Sequence, residues 1–267
     1  MTETFLDKIF EAKKKRIDKQ KQIVNTGELR ELALEVRNVS GPHRLLESLQ
    51  DSGRIAIIAE IKRASPSKGV INDEIDVEMV AKSYERGGAC AISVLTEEDF
   101  FKGSLDDLRT ARQAVDLPIL RKDFTFDEFQ IYEAAEAGAD AILLIAAMLD
   151  DEKLQRLHRL AETDLSMDAL VEVHDLDEME RAANIGATLI GVNNRDLHSF
   201  AVSLDVSRSL IKLAAKKALV ISESGLQTRD EIQELKQLGF SGFLMGETLM
   251  KSSDAEKSLK ELTGITL

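Results

Sequence analysis

From Ile55 onward the chain alternates short apolar runs with segments of helical length, and this alternation constrains the fold more than any other feature. The runs are IAIIAEIK (55–62), AISVLT (91–96), PILRKDF (118–124), AILLIAAM (141–148), ALVEVH (169–174), LIGVNN (189–194), ALVISESG (218–225) and GFLMGETL (242–249). Polar stretches such as DEIDVEMVAKSYERGG and TRDEIQELKQLGF separate them. Short apolar runs joined through helices imply crossover connections and a parallel sheet. A faint internal repeat supports closure of that sheet: RGGACAI, EAGADAI, NIGATLI and QLGFSGF place Gly88, Gly138, Gly186 and Gly239 at spacings of 50, 48 and 53 residues. Each glycine is positioned to end a helix and feed an even-numbered strand. Four such quarters predict an α/β fold, an eight-stranded (β/α)8 TIM barrel. An open doubly wound sheet is the alternative, but it usually carries a GxGxxG turn after its first strand, and this sequence has none.

Residues 1–50 precede the barrel. Phe5, Leu6, Ile9, Phe10 and Ile17 have the spacing of an amphipathic helix, with the KKKR run at 13–16 expected on its solvated face. The expected organisation is one domain over 1–267: an N-terminal helical extension (1–50) packed on a barrel (51–267). The chain ends shortly after the eighth helix-length segment, so no fused partner domain is expected.

Bulk properties exclude several classes of function. A net charge of −13 argues against a nucleic-acid binder, so an anionic ligand must be held by a local arrangement. No segment reaches the roughly 20 apolar residues of a membrane span, and the N-terminus has no signal-peptide core. The lone cysteine, Cys90, excludes an intramolecular disulfide and fits a reducing compartment, so a cytoplasmic protein is expected. Cys90 lies at a strand start and is read as structural.

The first strand, read in EIKRASPSKG, holds an apparent contradiction: Glu60 and Lys62 interrupt a run rich in isoleucine. Alternation resolves it. Ile57, Ala59 and Ile61 form one face, while Ile58, Glu60 and Lys62 form the other, with its polar members at the C-terminal tip. The same polarity recurs as Leu120 then Lys122, Leu170 then Glu172 and His174, Gly191 then Asn193 and Arg195, and Val220 then Ser222 and Ser224. Any single charge is most simply a solvated surface group; five strands with one polarity point to a shared pocket at the barrel's C-terminal face. Two lysines and two glutamates sharing a partly desolvated space shift one another's pKa values and supply general acids and bases. No His/Asp/Glu set has metal-ligand spacing, so no metal is expected; the four histidines are read as structural, with only His174 near the rim. No GxSxG elbow or Ser/His/Asp arrangement is visible. Ser224-Gly225 and Gly246-Glu247 follow the last two strands, where barrels of this kind bind phosphate through backbone N–H groups. The Ser65–Gly69 loop is placed to close over the same region.

These motifs together resemble indole-3-glycerol phosphate synthases over essentially the whole chain. The matching stretches are AEIKRASPSKG (59–69), FKGS (101–104), ILRKDF (119–124), VEVH (171–174), GVNNRDL (191–197), SESG (222–225) and MGE (245–247). The resemblance implies ring closure, with decarboxylation and dehydration, of 1-(o-carboxyphenylamino)-1-deoxyribulose 5-phosphate to indole-3-glycerol phosphate, in tryptophan biosynthesis. It implies a catalytic set of Glu60, Lys62, Lys122, Glu172, Asn193 and Ser224. It places Arg195 as a positioning group, Ser65, Gly225, Gly246 and Glu247 at the phosphate, and Phe101, Phe124, Leu143 and Leu197 around the anthranilate ring. No cofactor, nucleic acid or membrane is implied, and a monomer or weak homodimer is expected. Two readings compete: a phosphoribosylanthranilate isomerase, which needs a Cys/Asp-type acid–base pair that Cys90 is badly placed to supply, and a non-catalytic phosphosugar-binding barrel, which has no use for both lysines and both glutamates.

Overall fold

The computed structural model describes residues 5–50, 54–66, 69–72, 74–215 and 217–265. Among these, eight parallel strands close a barrel: β1 (Ile57–Ile61), β2 (Ala91–Leu95), β3 (Ile119–Lys122), β4 (Ala141–Ile145), β5 (Asp168–Val173), β6 (Leu189–Asn193), β7 (Leu219–Glu223) and β8 (Gly242–Met245). Neighbours in sequence are neighbours in the ring. Ile58 closes it, opposite Ala91 of β2 on one side and Leu244 of β8 on the other. Seven strands fall inside the apolar runs, and β5 begins one residue early, at Asp168.

Alternation divides the core into two layers. Ile57, Ala59 and Ile61 pack outward against the helices, whereas Ile58, Leu120, Leu143, Leu170, Leu189, Ile221 and Leu244 fill the barrel interior. Burying an isoleucine or leucine side chain stabilises a fold by about 1.5–3 kcal/mol, so the two layers supply most of the driving force for closure. The helices that return the chain are α4 (Val77–Arg86), α5 (Leu105–Ala114), α6 (Glu128–Glu136), α7 (Asp151–Arg159), α8 (Leu176–Asn184), α9 (Asp205–Leu210), α10 (Arg229–Leu238), α11 (Glu247–Met250) and α12 (Ala255–Thr263). The four repeated glycines adopt left-handed backbone at the helix ends, with φ of 86° at Gly88, 88° at Gly138, 77° at Gly186 and 116° at Gly239. A residue with a Cβ is strained there, which explains their recurrence.

Three helices precede the barrel: α1 (Phe5–Ile23), α2 (Thr26–Val39) and α3 (Arg44–Gln50). Leu45 and Leu49 of α3 join the interior cluster and plug the N-terminal floor, and α2 packs on α6. α1 crosses to the opposite face. Here the KKKR run departs from expectation, because Lys13 is fully buried. Its Nζ lies 2.8 Å from Asp123 Oδ2 and 3.3 Å from Glu98 Oε2, while Arg16 pairs with Glu98 and Asp99. Position 13 shares the helix face of Ile9 and Ile17, so its long stem is carried inward, and Asp123 at the β3 tip meets the ammonium. Lys14 and Lys15 are exposed.

Candidate active site

The residues expected at the site line one cavity at the C-terminal mouth of the barrel. Glu60, Lys62, Lys122, Glu172, Asn193 and Ser224 rise from its floor or rim; Ser65, Arg195, Gly225, Gly246 and Glu247 surround one end; Phe101, Phe124, Leu143 and Leu197 form an apolar wall. The loop after β1 is a short hairpin pairing Ala64–Ser65 with Gly69–Val70. Ser65 and Pro66 line the cavity, while Ser67 and Lys68 of the expected closing loop lie outside the described residues.

The base of this cavity is a chain of largely buried ion pairs. Lys62 Nζ is 2.5 Å from Glu60 Oε1, and Lys122 Nζ is 2.9 Å from Glu172 Oε2 and 3.5 Å from Glu223 Oε2. Asn193 Nδ2 donates to Glu172 Oε1 at 3.1 Å, and its Oδ1 accepts the Arg195 backbone N–H at 3.0 Å. Burial alone would lower the Lys122 pKa, but the carboxylates of Glu172, Glu223 and Glu60 outweigh it and hold the ammonium charged. Burial likewise opposes ionisation of Glu172, yet Lys122, His174 and Asn193 keep its carboxyl well below the usual range. Two glycines make room for this cluster. A Cβ at Gly191 would stand 1.9 Å from Glu223 Oε1, and one at Gly246 would stand 2.3 Å from Glu60 Oε1.

β7 corrects the expected alternation. Val220 and Ser222 face outward, and Leu219, Ile221 and Glu223 face inward; Ile221 belongs to the interior cluster and Val220 to the outer one. Ser222 is polar on the helix-facing side because Ser207 Oγ and Asn194 Nδ2 satisfy its hydroxyl at 2.9 and 3.0 Å. Ser224 reaches the cavity rim by a different route, in left-handed backbone with φ of 66°, its carbonyl held by Asn194 Nδ2. Glu223 is therefore a site residue that the sequence reading missed. It is 1% exposed, Oε1 has no hydrogen-bond partner among the described residues, and burial beside Glu172 and Glu60 pushes its pKa up to about 8. The apolar-apolar-charged pattern Leu219-Ile221-Glu223 was the available signal, masked by the serines on either side.

The second omission is α1. Phe5, Leu6 and Ile9 line the cavity from above, and Phe5 packs edge-on against Phe100 and Phe200 with ring centroids 5.1 and 5.4 Å apart. Lys13 and Asp123 tie this helix to the residue after Lys122. Elsewhere, Cys90 is half-buried just before β2, with desolvation of the thiol pushing its pKa up to about 12. At the opposite end of the barrel, the fold brings together His43, Glu162 and Asp168, which their sequence spacing did not reveal as a group that could hold a metal ion. There His43 Nδ1 lies 3.2 Å from Asp168 Oδ1 and 3.6 Å from Glu162 Oε2, while Asp168 Oδ2 accepts the backbone N–H groups of Leu45 and Leu46 and Glu162 Oε1 accepts that of Ala169.

Comparison with known proteins decides among the barrels that such a cavity permits. The family model described as indole-3-glycerol phosphate synthase matches residues 6–262. The chain belongs to the indole-3-glycerol phosphate synthase family. An indole-3-glycerol phosphate synthase of Carboxydothermus hydrogenoformans is 45% identical over 266 residues, covering 97% of this chain and 99% of the relative. One from Zymomonas mobilis subsp. pomaceae is 44% identical over 248 residues, 93% of each chain. An N-acetylmannosamine-6-phosphate 2-epimerase structure from Clostridium perfringens superposes with a TM-score of 0.61 at 15% identity, covering 83% of this chain and 96% of that one; it shares the fold alone. No helix among the described residues is long and apolar enough to cross a membrane.

Proposed function

We propose that the cavity converts 1-(o-carboxyphenylamino)-1-deoxyribulose 5-phosphate into indole-3-glycerol phosphate, carbon dioxide and water. The observation that carries this reading is a pair of lysines, each ion-paired to a glutamate, standing between an apolar wall and two glycine-containing loops. A substrate with an aromatic carboxylate at one end and a phosphate at the other matches that sequence of environments.

The phosphate sits against the backbone N–H groups around Gly225 and Gly246, with Ser65 and Arg195 nearby, and the anthranilate ring lies between Phe101, Phe124, Leu143 and Leu197. Holding both ends brings the ring carbon that bears the carboxylate to the C2′ carbonyl, which is the entropic share of catalysis. As that carbon attacks, negative charge develops on the carbonyl oxygen, and Lys122 protonates it. The nitrogen lone pair has by then moved into the ring, leaving an iminium that the Glu172 carboxylate stabilises. Cleavage of the carboxylate bond returns its electron pair to the ring, restores aromaticity and releases carbon dioxide, with no external electron acceptor. Lys62 first binds the carboxylate and then protonates the departing C2′ hydroxyl, which leaves as water, while the C1′ proton passes to water to complete the indole. Glu60 and Asn193 orient the ammoniums and the sugar hydroxyls, and Ser224 completes the polar rim. The chain works in the cytoplasm as a monomer or weak homodimer. Incubating the purified protein with this substrate and no added metal is expected to give rising indole fluorescence. Phosphate-dependent binding without product would return the protein to the non-catalytic reading.

A further inference from the structure

Lys122 presents a difficulty for any reaction in which it donates a proton. Its partner Glu172 is 2% exposed, and a carboxylate that faces a neutral amine in a dry cavity is driven to take up a proton itself. The groups around Glu172 show how this is avoided. From β3 comes Lys122, from β6 Asn193, from β7 Glu223, and from β1 Glu60 with its own partner Lys62. The opposite side of the carboxylate is met by His174, two residues further along the chain and just past the end of β5, where Nε2 lies 3.4 Å from Glu172 Oε1. His174 Nδ1 lies 3.1 Å from Glu178 Oε2, and the same oxygen accepts the His174 backbone N–H at 2.8 Å. Glu178 sits in the first turn of α8, whose N-cap Asp175 accepts the Glu178 N–H at 2.9 Å, so the dyad is fixed to a helix start.

This arrangement dictates a protonation state by geometry. Nδ1 carries a proton to donate to Glu178, and Nε2, which makes no hydrogen bond among the described residues, stands 3.4 Å from Glu172 Oε1, where a lone pair would face the carboxylate and a proton is electrostatically favoured. The imidazole is thus a cation between two carboxylates, in agreement with the upward shift of its pKa to about 10, which Glu172 and Glu178 impose against the effect of burial. Neither His174 nor Glu178 lines the cavity.

We propose that His174 and Glu178 are a positioning pair that grips Glu172 from behind and keeps it ionised while Lys122 gives its proton to the substrate. When Lys122 becomes a neutral amine, the imidazolium remains as the counter-charge of Glu172, which neither turns away nor competes for the proton. The amine is then reprotonated from water. The inference rests on the ring-closure reading of the cavity.

The test compares wild type with His174→Gln, His174→Ala and Glu178→Gln, measuring kcat and KM across pH by indole fluorescence. Loss of the imidazolium is expected to lower kcat about tenfold, the scale of one pKa unit of lost counter-charge at Glu172, with KM little changed. The acid limb of the kcat profile is expected to move to higher pH. Glu178→Gln gives a smaller shift in the same direction. A uniform fall in kcat with an unmoved acid limb, or a change in KM alone, would overturn the proposal. The Gln variants preserve volume, so they carry the test if His174→Ala does not fold. Carboxyl-carbon NMR titration of Glu172 reads the same coupling without substrate. An upward shift of its titration in His174→Gln supports the pair and an unchanged one overturns it, whereas absence of turnover in the wild type sinks only the activity reading.

Discussion

The two ends of the barrel bury charge in opposite ways. At the floor, Asp140 accepts the Ile119 N–H at 2.9 Å and meets Arg112 at 2.9 Å and Arg44 at 3.2 Å. Arg37 spends its guanidinium on the carbonyls of Leu165, Ser166 and Gly41, and Asp168 holds two N–H groups of α3 together with His43. These charges are met on every side and join the extension to the strand starts. At the mouth, Lys122 is shared by Glu172 and Glu223, and Glu223 keeps an oxygen without a hydrogen bond among the described residues. Buried polar groups left short of partners cost free energy, so such incompleteness persists where a ligand completes it. Floor charges are paired into the fold; mouth charges are left incompletely paired at Glu223.

Three substitutions sharpen this contrast. The largest expected effect is from Lys122→Ala, which should lower kcat by roughly 10²-fold or more, the scale of a lost general acid, with folding intact. Near-normal turnover in that variant would remove Lys122 from the chemistry. Next in size, Asp168→Ala leaves two N–H groups of α3 and His43 without their acceptor. It is expected to cost about 2–4 kcal/mol in urea unfolding while kcat of the folded fraction stays close to wild type. Equal losses of stability and kcat would mean that the two ends are not independent. The smallest effect is a pH dependence at Glu223. Its folded pKa of about 8 lies above the ordinary value of 4.5, so its contribution to stability is fully present below pH 4.5 and is lost as pH rises through about 8. Glu223→Gln mimics the neutral form, and its urea midpoint is expected to decline less than that of wild type over this interval. Parallel curves would show that Glu223 is ionised throughout.

Much of this was legible in the chain. The barrel strands coincide with the apolar runs because a parallel strand buried on both faces needs a nearly continuous apolar stretch. The repeated glycines sit where the backbone turns left-handed. Glu60, Lys62, Lys122, Glu172 and Asn193 could be placed by alternation because each follows apolar residues on its own face. Alternation failed at β7, where Ser222 and Glu223 are both polar and only the contacts with Asn194 and Ser207 reveal which side Ser222 occupies. Lys13 was misread for a related reason: a lysine on an apolar helix face is a solvated charge unless something meets it, and Asp123 lies 110 residues away.

Local order along the sequence determined the number of strands, their parallel arrangement and the end at which polar tips gather, since periodicity and turn chemistry act between near neighbours. The tertiary structure alone decided which groups face one another across the mouth. Closure of the ring sets Glu223 against Lys122, brings α1 over the cavity and stands His174 behind Glu172. Whether a buried charge is paired depends on residues distant in sequence, and only packing specifies those.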